Sequence, residues 1–542
     1  MMLLTRKLRK FADSLFYINR IDINILLCII FATMLGIFMF GENIRAQWWI
    51  IDDHEIAYFL GGDHVLGIKE IPNKLMNGTE IGQYLHYSRF RPVYYLFRLW
   101  ETSIWGDQPG MWYVFRIAVF GLFVGSFWYL ISKSIGNMVI GGFLSFYAAT
   151  SKYWVDIIGR LGPSEIYGVL GLMFFGFGIY IMYKSNRITG WWGMFVGIVI
   201  CSGSKENFLF LFLPLIYIIW SFYKKGKLNI TRMALAFSSF VWMAWIGYTV
   251  FVSARSSGSD VYSNPVGITD RLLIMISLFK RFDFILLLLV CVFLLFLKQL
   301  FHIENSEILA YSKEAGMKTL ILTIIYISQM FFYSGDWPIG TRYDFPGLLV
   351  WPLLFVVIIS FFQKIAQTYR VKMYEVNLML LSTLATFILA FSQLRNIHQA
   401  QLSGEKNVAR TTTFTAQMKE LAEVSTQNPD YVLIIETDNP AWDYEPVFSY
   451  VRFLRFYGTK NKISFLWAGR KPENYSNNLN SSLAKDLSDL SIFGKEPAGL
   501  VGKGNDFIPF SEVDGYGTKC ILIVISGQPK KDCPQIIMSN WR

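Results

Sequence analysis

Four consecutive ionisable residues lie near the N-terminal end of the chain, within the stretch WWIIDDHEIAYFLGG at 48–62. Asp52, Asp53, His54 and Glu55 follow a pair of tryptophans, which favour the boundary between membrane and water. Burial and like charge at such a boundary can both perturb carboxylate pKa values, so one acid could serve as a general base. The alternative is a solvated loop behind a membrane helix, and these residues alone do not decide between the two.

Further charged residues accumulate in later loops that are predicted to lie on the same face. They are Arg89 and Arg91, Asp156 and Arg160, Glu165, Lys205 and Glu206, and Asp336, Arg342 and Asp344. Arginine and lysine can hold a phosphate while a carboxylate accepts a proton from an attacking hydroxyl. Together these residue types favour group transfer from a phosphorylated lipid. Each cation could instead be an interfacial side chain whose charged end reaches water.

The acidic stretch could also contribute ligands to a metal ion. The candidate ligands are Asp52, Asp53, His54, Glu55, Asp63 and His64. Their spacing matches no established ligand pattern, so neither a metal nor another cofactor is predicted, although oxygen and nitrogen ligands of this kind could hold a divalent ion. The sequence contains no Walker-type phosphate loop and no dinucleotide-binding glycine pattern.

The composition is that of a membrane protein. Of 542 residues, 53% are hydrophobic and only 16% are charged, whereas soluble proteins carry about 25% charged residues. The net charge of +11 comes largely from basic residues beside apolar segments, as at 184–187 and 224–232. Such loops face the cytoplasm. We therefore predict a polytopic α-helical membrane protein with the lipid bilayer, and not nucleic acid, as its partner.

About eleven membrane spans are predicted from length and charge. They lie near 23–40, 111–131, 135–150, 166–183, 190–201, 208–223, 233–252, 283–299, 319–333, 347–362 and 376–393. Five basic residues precede the first span, which places the N-terminus in the cytoplasm and a long first loop, 41–110, in the periplasm. Apolar residues at 93, 96, 97 and 100 predict a helix lying along the membrane, and a second interfacial helix is expected at 268–279.

The membrane part is predicted to span residues 1–393, and residues 394–542 a small periplasmic α/β domain. Apolar stretches at 431–437, 462–469 and 519–527 are typical of buried strands. Helices are expected at 446–458 and 481–490. Cys520 and Cys533 could form a disulfide if this domain is outside the cytoplasm.

In their order along the chain, the charged signatures resemble those of the GT-C superfamily of integral-membrane glycosyltransferases. They are most similar to the transmembrane O-mannosyltransferases that carry tetratricopeptide repeats. The counterparts are Asp52–Asp53, Arg91–Pro92 within SRFRPVYY, Gly159–Arg160, Lys205–Glu206, and Arg342 to Pro346 in RYDFP. The resemblance covers about residues 20–360. No tetratricopeptide pattern follows, so the resemblance does not imply a protein acceptor.

The resemblance implies that Asp52 or Asp53 acts as general base, and that Lys205, Arg342 and Arg160 hold the donor phosphate. The remaining polar residues would contact the acceptor or other parts of the substrate; they are His54, Glu55, Arg89, Arg91 and Glu206. The pair His54–Glu55 departs from the pattern of the superfamily, which leaves open which acid is the base. Some members need a divalent metal and others do not.

The expected function is transfer of a sugar from a polyprenyl-phosphate donor to a hydroxyl of a cell-surface glycan or glycolipid. The reaction would be inverting and take place on the periplasmic side of a bacterial inner membrane. The main alternative is a non-catalytic transporter or flippase of lipid-linked glycans, which should carry charges near the middle of its spans. A transferase of another group, such as acyl or phosphoethanolamine, is disfavoured. A phosphoethanolamine transferase usually needs a metal site rich in His and Asp in a large soluble domain, and the C-terminal region has His398 as its only histidine.

Overall fold

The computed structural model describes residues 23–79, 81, 90–250, 273, 276–297, 305–332, 340–369, 372–438, 440–467, 518–529 and 531–539. Some of the predictions fall outside these residues. They concern Arg89, Asp336, the helix at 481–490 and most of the interfacial helix at 268–279.

Between residues 23 and 391, the residues that the structure describes form mainly helices. In chain order the helices are α1 (Ile23–Phe40), α2 (His54–Leu60), α3 (Ile71–Asn77), α4 (Pro92–Trp105), α5 (Pro109–Ile135), α6 (Met138–Ala149), α7 (Tyr153–Ile158), α8 (Glu165–Ser185), α9 (Ile188–Ser204), α10 (Phe212–Lys224), α11 (Ile230–Tyr248), α12 (Phe282–Leu295), α13 (Ser306–Phe332), α14 (Val350–Tyr369) and α15 (Lys372–Phe391). Short 3₁₀ turns lie between them, including Gly41–Arg45, Glu206–Leu211 and Arg342–Asp344.

Within the described ranges, seven helical segments are long and apolar enough to cross a membrane. They involve α1, α5, α8, α10, α11, α14 and α15, and the shorter helices α6, α9 and α12 are also apolar. Together with α13, a helix overlaps each of the eleven predicted spans. The expectation of a multi-pass membrane protein is thus supported, while the count of eleven crossings stays a prediction.

Small residues allow the apolar helices to pack closely. In α8 and α9, a Cβ atom at Gly178 would lie 2.4 Å from the backbone nitrogen of Met194, and one at Gly197 would lie 2.5 Å from that of Phe175. On α1, by contrast, Phe31 and Phe38 are exposed by 57% and 62%. Close contact through glycine and outward-facing apolar side chains are both expected of helices surrounded by lipid.

Helix α4 confirms the predicted helix in the first loop, but its orientation was not anticipated. Trp100, on the apolar face, is 49% exposed, whereas Arg98 on another face is fully buried. Tyr94 and Tyr95 are buried with it. The polar side of this helix therefore packs into the protein, where it meets the acidic stretch.

The C-terminal region contains strands and helices, as predicted, and a long helix that was not predicted; all the described strand pairs are parallel. Its elements are α16 (Leu394–Gln427), β1 (Val432–Thr437), α17 (Pro440–Phe456), β2 (Ile463–Trp467), β3 (Cys520–Val524) and β4 (Gln535–Met538). The strand order is β2-β1-β3-β4, with Ile434 paired to Ser464 on one side and to Leu522 on the other. Three strands confirm the predicted ones, β4 was missed, and α17 begins earlier than the expected residue 446. Cys520 and Cys533, whose pairing the sequence left open, form a disulfide.

The C-terminal region packs directly on the first loop. The ring centroids of Trp49 and Phe414 in α16 are 5.7 Å apart, and those of Trp48 and Phe456 in α17 are 6.4 Å apart. One hydrophobic core continues from α1 through these aromatic residues into the sheet. The acidic stretch is therefore enclosed between the helical bundle and the C-terminal region.

Candidate functional site

The acidic stretch begins with a strained turn. Ile51 and Asp52 have φ angles of 68° and 58°, in the left-handed region that a β-branched residue rarely adopts. Such residues cost about 1–3 kcal/mol each and persist only where the surroundings determine the conformation. The Asp53 N–H donates to the Ile51 carbonyl at 2.6 Å, which closes the turn before α2. As a result, Asp52 and Asp53 occupy different environments.

Asp52 faces two arginines from distant loops. Its Oδ2 is 2.5 Å from Arg160 Nη2 and 3.9 Å from Arg342 Nη1. Asp156 contacts the same arginines, at 3.7 Å from Arg160 and 3.8 Å from Arg342. We call these four residues the arginine–carboxylate cluster. Gly162 is required beside it, because a Cβ atom there would overlap the Asp52 carboxylate.

Asp53 points into the protein interior. It is 2% exposed, and its Oδ2 accepts the Trp49 N–H at 2.9 Å. Burial raises the pKa of Asp53 to about 7, against the opposing effects of Arg98 and of the hydrogen bond from Trp49. The sequence left open which acid could act on a substrate. The structure brings only Asp52 of the two into contact with Arg160 and Arg342.

The environment has the opposite effect on Asp52. Burial by itself would raise the pKa of Asp52, but Arg160, Arg342 and Arg98 outweigh it and hold the pKa well below its usual range. The side chain is still 23% exposed. The two adjacent carboxyls therefore differ in charge below about pH 7, as acid and base residues of enzymes often do.

Arg98, which was not among the residues expected from the sequence, bonds the backbone of the turn. It is fully buried, and its Nη2 donates to the Asp52 carbonyl at 2.9 Å. Both Arg98 and Arg116 donate to the Leu161 carbonyl, and Arg98 Nε is 3.9 Å from Glu55. A buried charge is costly unless it is paired. The presence of Arg98 and Arg116 in apolar segments could therefore have marked them in the sequence as residues with a buried partner.

The predicted phosphate-binding residue Lys205 is adjacent to the cluster. It is 3% exposed and forms an ion pair with Glu165 at the start of α8. Its Nζ is 4.8 Å from the centre of the Tyr343 ring, and Arg342 Cζ is 5.2 Å from the same ring. Tyr343, also not singled out from the sequence, thus links Lys205 to Arg342. The three predicted phosphate-binding cations lie in one neighbourhood.

Two further predicted residues bind one another. Arg91 donates to both oxygens of Glu206, at 2.8 and 3.0 Å, which joins the start of α4 to the turn after Lys205. Glu55 accepts a hydrogen bond from Tyr94 at 3.3 Å and is 24% exposed. Glu55 thus lies beside Arg98, and the Arg91–Glu206 pair lies next to Lys205.

His54 is directed away from the cluster. It is buried, and its Nδ1 is 2.8 Å from Ser449 Oγ in α17. Burial, and then the charge of Arg452, hold the pKa of His54 well below its usual value, so the ring is neutral. The structure does not bring His54 together with the predicted substrate-binding residues. It is instead a contact to the C-terminal region.

The proposed metal-ligand set is divided by the fold. His64 Nδ1 lies 3.0 Å from Asp107, and its ring packs 4.0 Å from that of Phe456. In the part of the chain that the structure describes, no three His, Cys, Asp or Glu side chains are grouped as a metal site would require. Whether the protein needs a metal stays untested.

The arrangement provides an ionised carboxylate held between two guanidiniums, with a lysine nearby. Such a group could bind an anion and take up a proton.

Comparison with known proteins assigns no family: no protein-family model matches the chain, and a search of curated proteins finds no significant match.

Proposed function

We propose that the protein is an inverting glycosyltransferase of the GT-C type. It would move a sugar from a polyprenyl-phosphate donor to a hydroxyl of a cell-surface glycan or glycolipid, on the periplasmic side of a bacterial inner membrane. The observation that carries this proposal is the Asp52 carboxylate, placed between Arg160 and Arg342. A proton acceptor and phosphate-binding cations in contact are what this reaction needs.

In the proposed reaction, Arg160 and Arg342 bind the donor phosphate, and Lys205 adds a third positive charge beside Tyr343. The acceptor hydroxyl attacks the anomeric carbon of the sugar and gives its proton to Asp52. The bond between that carbon and the phosphate oxygen breaks, and polyprenyl phosphate leaves as an anion. The cations stabilise the charge that develops on this leaving group.

The ion pairs of Asp52 give the reaction a built-in order. While Arg160 and Arg342 contact Asp52, the low pKa of this carboxyl makes it a weak base. A donor phosphate would compete for the same guanidiniums, because arginine binds phosphate and carboxylate alike. The pKa of Asp52 would then rise towards its usual range, since burial alone raises it. Asp52 would become an effective base only when donor is bound.

The other predicted residues have supporting places in this proposal. Glu55, beside Arg98, and the Arg91–Glu206 pair, next to Lys205, are candidates for contact with the acceptor. Arg89 has the same expected role and lies outside the described residues. Asp53 supports the turn instead of taking the proton.

The test is incubation of the purified full-length protein with a panel of polyprenyl-phosphate sugars, with and without a chelator. Release of polyprenyl phosphate and transfer of labelled sugar to glycan acceptors would be measured. We expect wild type to consume one donor class and Asp52→Asn to lose this activity by about 10²–10⁴-fold. Full activity of Asp52→Asn would refute the mechanism. Movement of intact donor across a vesicle membrane, without cleavage, would favour the flippase.

A further inference from the structure

We infer that the C-terminal region completes the site, with Ser449 of α17 as a positioning residue that holds the Asp52 turn. The catalytic part of this inference rests on the proposed function. Ser449 is fully buried, so it does not touch a substrate. It acts through the backbone of the acidic stretch.

The Ser449 hydroxyl has three partners. It donates to the Glu445 carbonyl at 2.8 Å, within α17. It also accepts the Ile51 N–H at 2.9 Å and lies 2.8 Å from His54 Nδ1. A hydroxyl has one proton and two lone pairs, so when the Ser449 hydroxyl donates to the Glu445 carbonyl, its lone pairs can accept from Ile51 and from a protonated His54 Nδ1.

Helix α16 fixes the residues just before the turn in the same way. Thr411 Oγ1 accepts the Gln47 N–H at 3.0 Å, and Thr415 Oγ1 donates to the Trp48 carbonyl at 3.1 Å. Side chains of α16 and α17 thus bond three backbone groups at and just before the turn: the Gln47 N–H, the Trp48 carbonyl and the Ile51 N–H. These partners are about 360 to 400 positions away in sequence.

The strain of the turn explains why such support is needed. Ile51 and Asp52 are both left-handed, and strained backbone persists only where its surroundings impose it. Ser449 bonds Ile51, the first of the two, while Arg98 bonds the carbonyl of Asp52, the second. The direction of the Asp52 carboxylate towards Arg160 thus depends on a side chain of the C-terminal region.

The experiment compares Ser449→Ala with Ser425→Ala in the full-length protein. Ser425 is also fully buried, and its hydroxyl likewise donates to the carbonyl four residues earlier, Leu421, at 2.6 Å. Each variant loses one hydrogen bond from a serine hydroxyl to the carbonyl four residues earlier in its own helix. Ser449→Ala also loses the bonds to Ile51 and His54. Amide hydrogen exchange of residues 47–54 is measured first, because it does not depend on any reaction.

In Ser449→Ala we expect exchange of 47–54 to rise by about 10-fold or more, with Ser425→Ala like wild type. We expect kcat to fall on the order of 10- to 100-fold with little change in KM for the donor. Added to Asp52→Asn, Ser449→Ala should have no further effect on turnover.

Unchanged exchange at 47–54 in Ser449→Ala would overturn the inference whatever the activity. Faster exchange with unchanged kcat would overturn the positioning role, because the turn would be loosened without consequence. Faster exchange in a protein whose wild type cleaves no donor would support the structural link and refute the proposed function instead.

Discussion

Replacing Asp53 by asparagine should stabilise the protein, and the gain should grow with pH. Burial raises the pKa of Asp53 from the ordinary 3.8 to about 7. Below pH 3.8 the carboxyl is protonated in both the folded and the unfolded chain and costs nothing. Between these values only the unfolded chain ionises, so stability falls as pH rises, and above pH 7 the loss is complete.

The magnitude follows from the same two values. One pKa unit corresponds to about 1.4 kcal/mol, so the difference between 3.8 and about 7 costs the folded state about 4 kcal/mol above pH 7. Somewhat more than a third of this cost is already present at pH 5, where the unfolded chain is ionised and the folded carboxyl is still protonated. Asparagine carries no charge and keeps an oxygen that can accept the Trp49 N–H. The stability of Asp53→Asn relative to wild type should therefore increase by about 3 kcal/mol between pH 5 and pH 8.5.

Thermal or denaturant unfolding of the full-length protein in detergent, followed by tryptophan fluorescence at both pH values, measures this difference. Asp63→Asn is the matched control, because Asp63 is an exposed acid in the same loop, so the variant removes a carboxyl that is not buried. A stability difference for Asp53→Asn that is equal at pH 5 and pH 8.5 would refute the argument.

Three further experiments test the site and the C-terminal region. Asp53→Asn should retain donor turnover within about 10-fold of wild type, whereas Asp52→Asn should not. Comparing kcat of the two variants on one donor distinguishes a supporting acid from a general base. Gly162→Ala should lower kcat by about 10²-fold, because the methyl group of alanine would displace the Asp52 carboxylate. The midpoint of unfolding should stay that of wild type. Wild-type turnover would contradict the close approach of Gly162 to Asp52. Cys520→Ser should destabilise the C-terminal sheet by about 3 kcal/mol, the value expected for a loop closed by a disulfide over 13 residues. Limited proteolysis should then cleave the C-terminal region sooner than in wild type. Equal cleavage rates would show that the disulfide contributes little to stability.

Local patterns in the sequence were sufficient for most elements. A helix overlaps each predicted apolar span, and three of the four described strands were expected from continuous runs of apolar residues. Helix α16 was missed because it is largely polar and contacts its neighbours through side chains such as Asn407 and Thr411. Strand β4 was missed because it is short and three of its four residues are exposed.

The sequence also indicated which charged residues would matter. Asp52, Arg160, Lys205 and Arg342 were selected by residue type and by their order in loops on one side, and the structure brings them into one neighbourhood. The proximity of these residues was predictable, because charged side chains at the ends of apolar spans avoid lipid and face a shared polar surface.

By itself the sequence determined the apolar helices, the strands and the charged loops, because hydrophobicity and residue type act over a few turns of chain. Only the tertiary structure decided what each member of the row from Asp52 to Glu55 does. The left-handed turn at Ile51 and Asp52 directs Asp52 to the arginines, Asp53 to the interior and His54 to Ser449. That turn is held by Arg98, Thr411, Thr415 and Ser449. Contacts between such distant parts of the chain depend on how the helices pack, which no local pattern specifies.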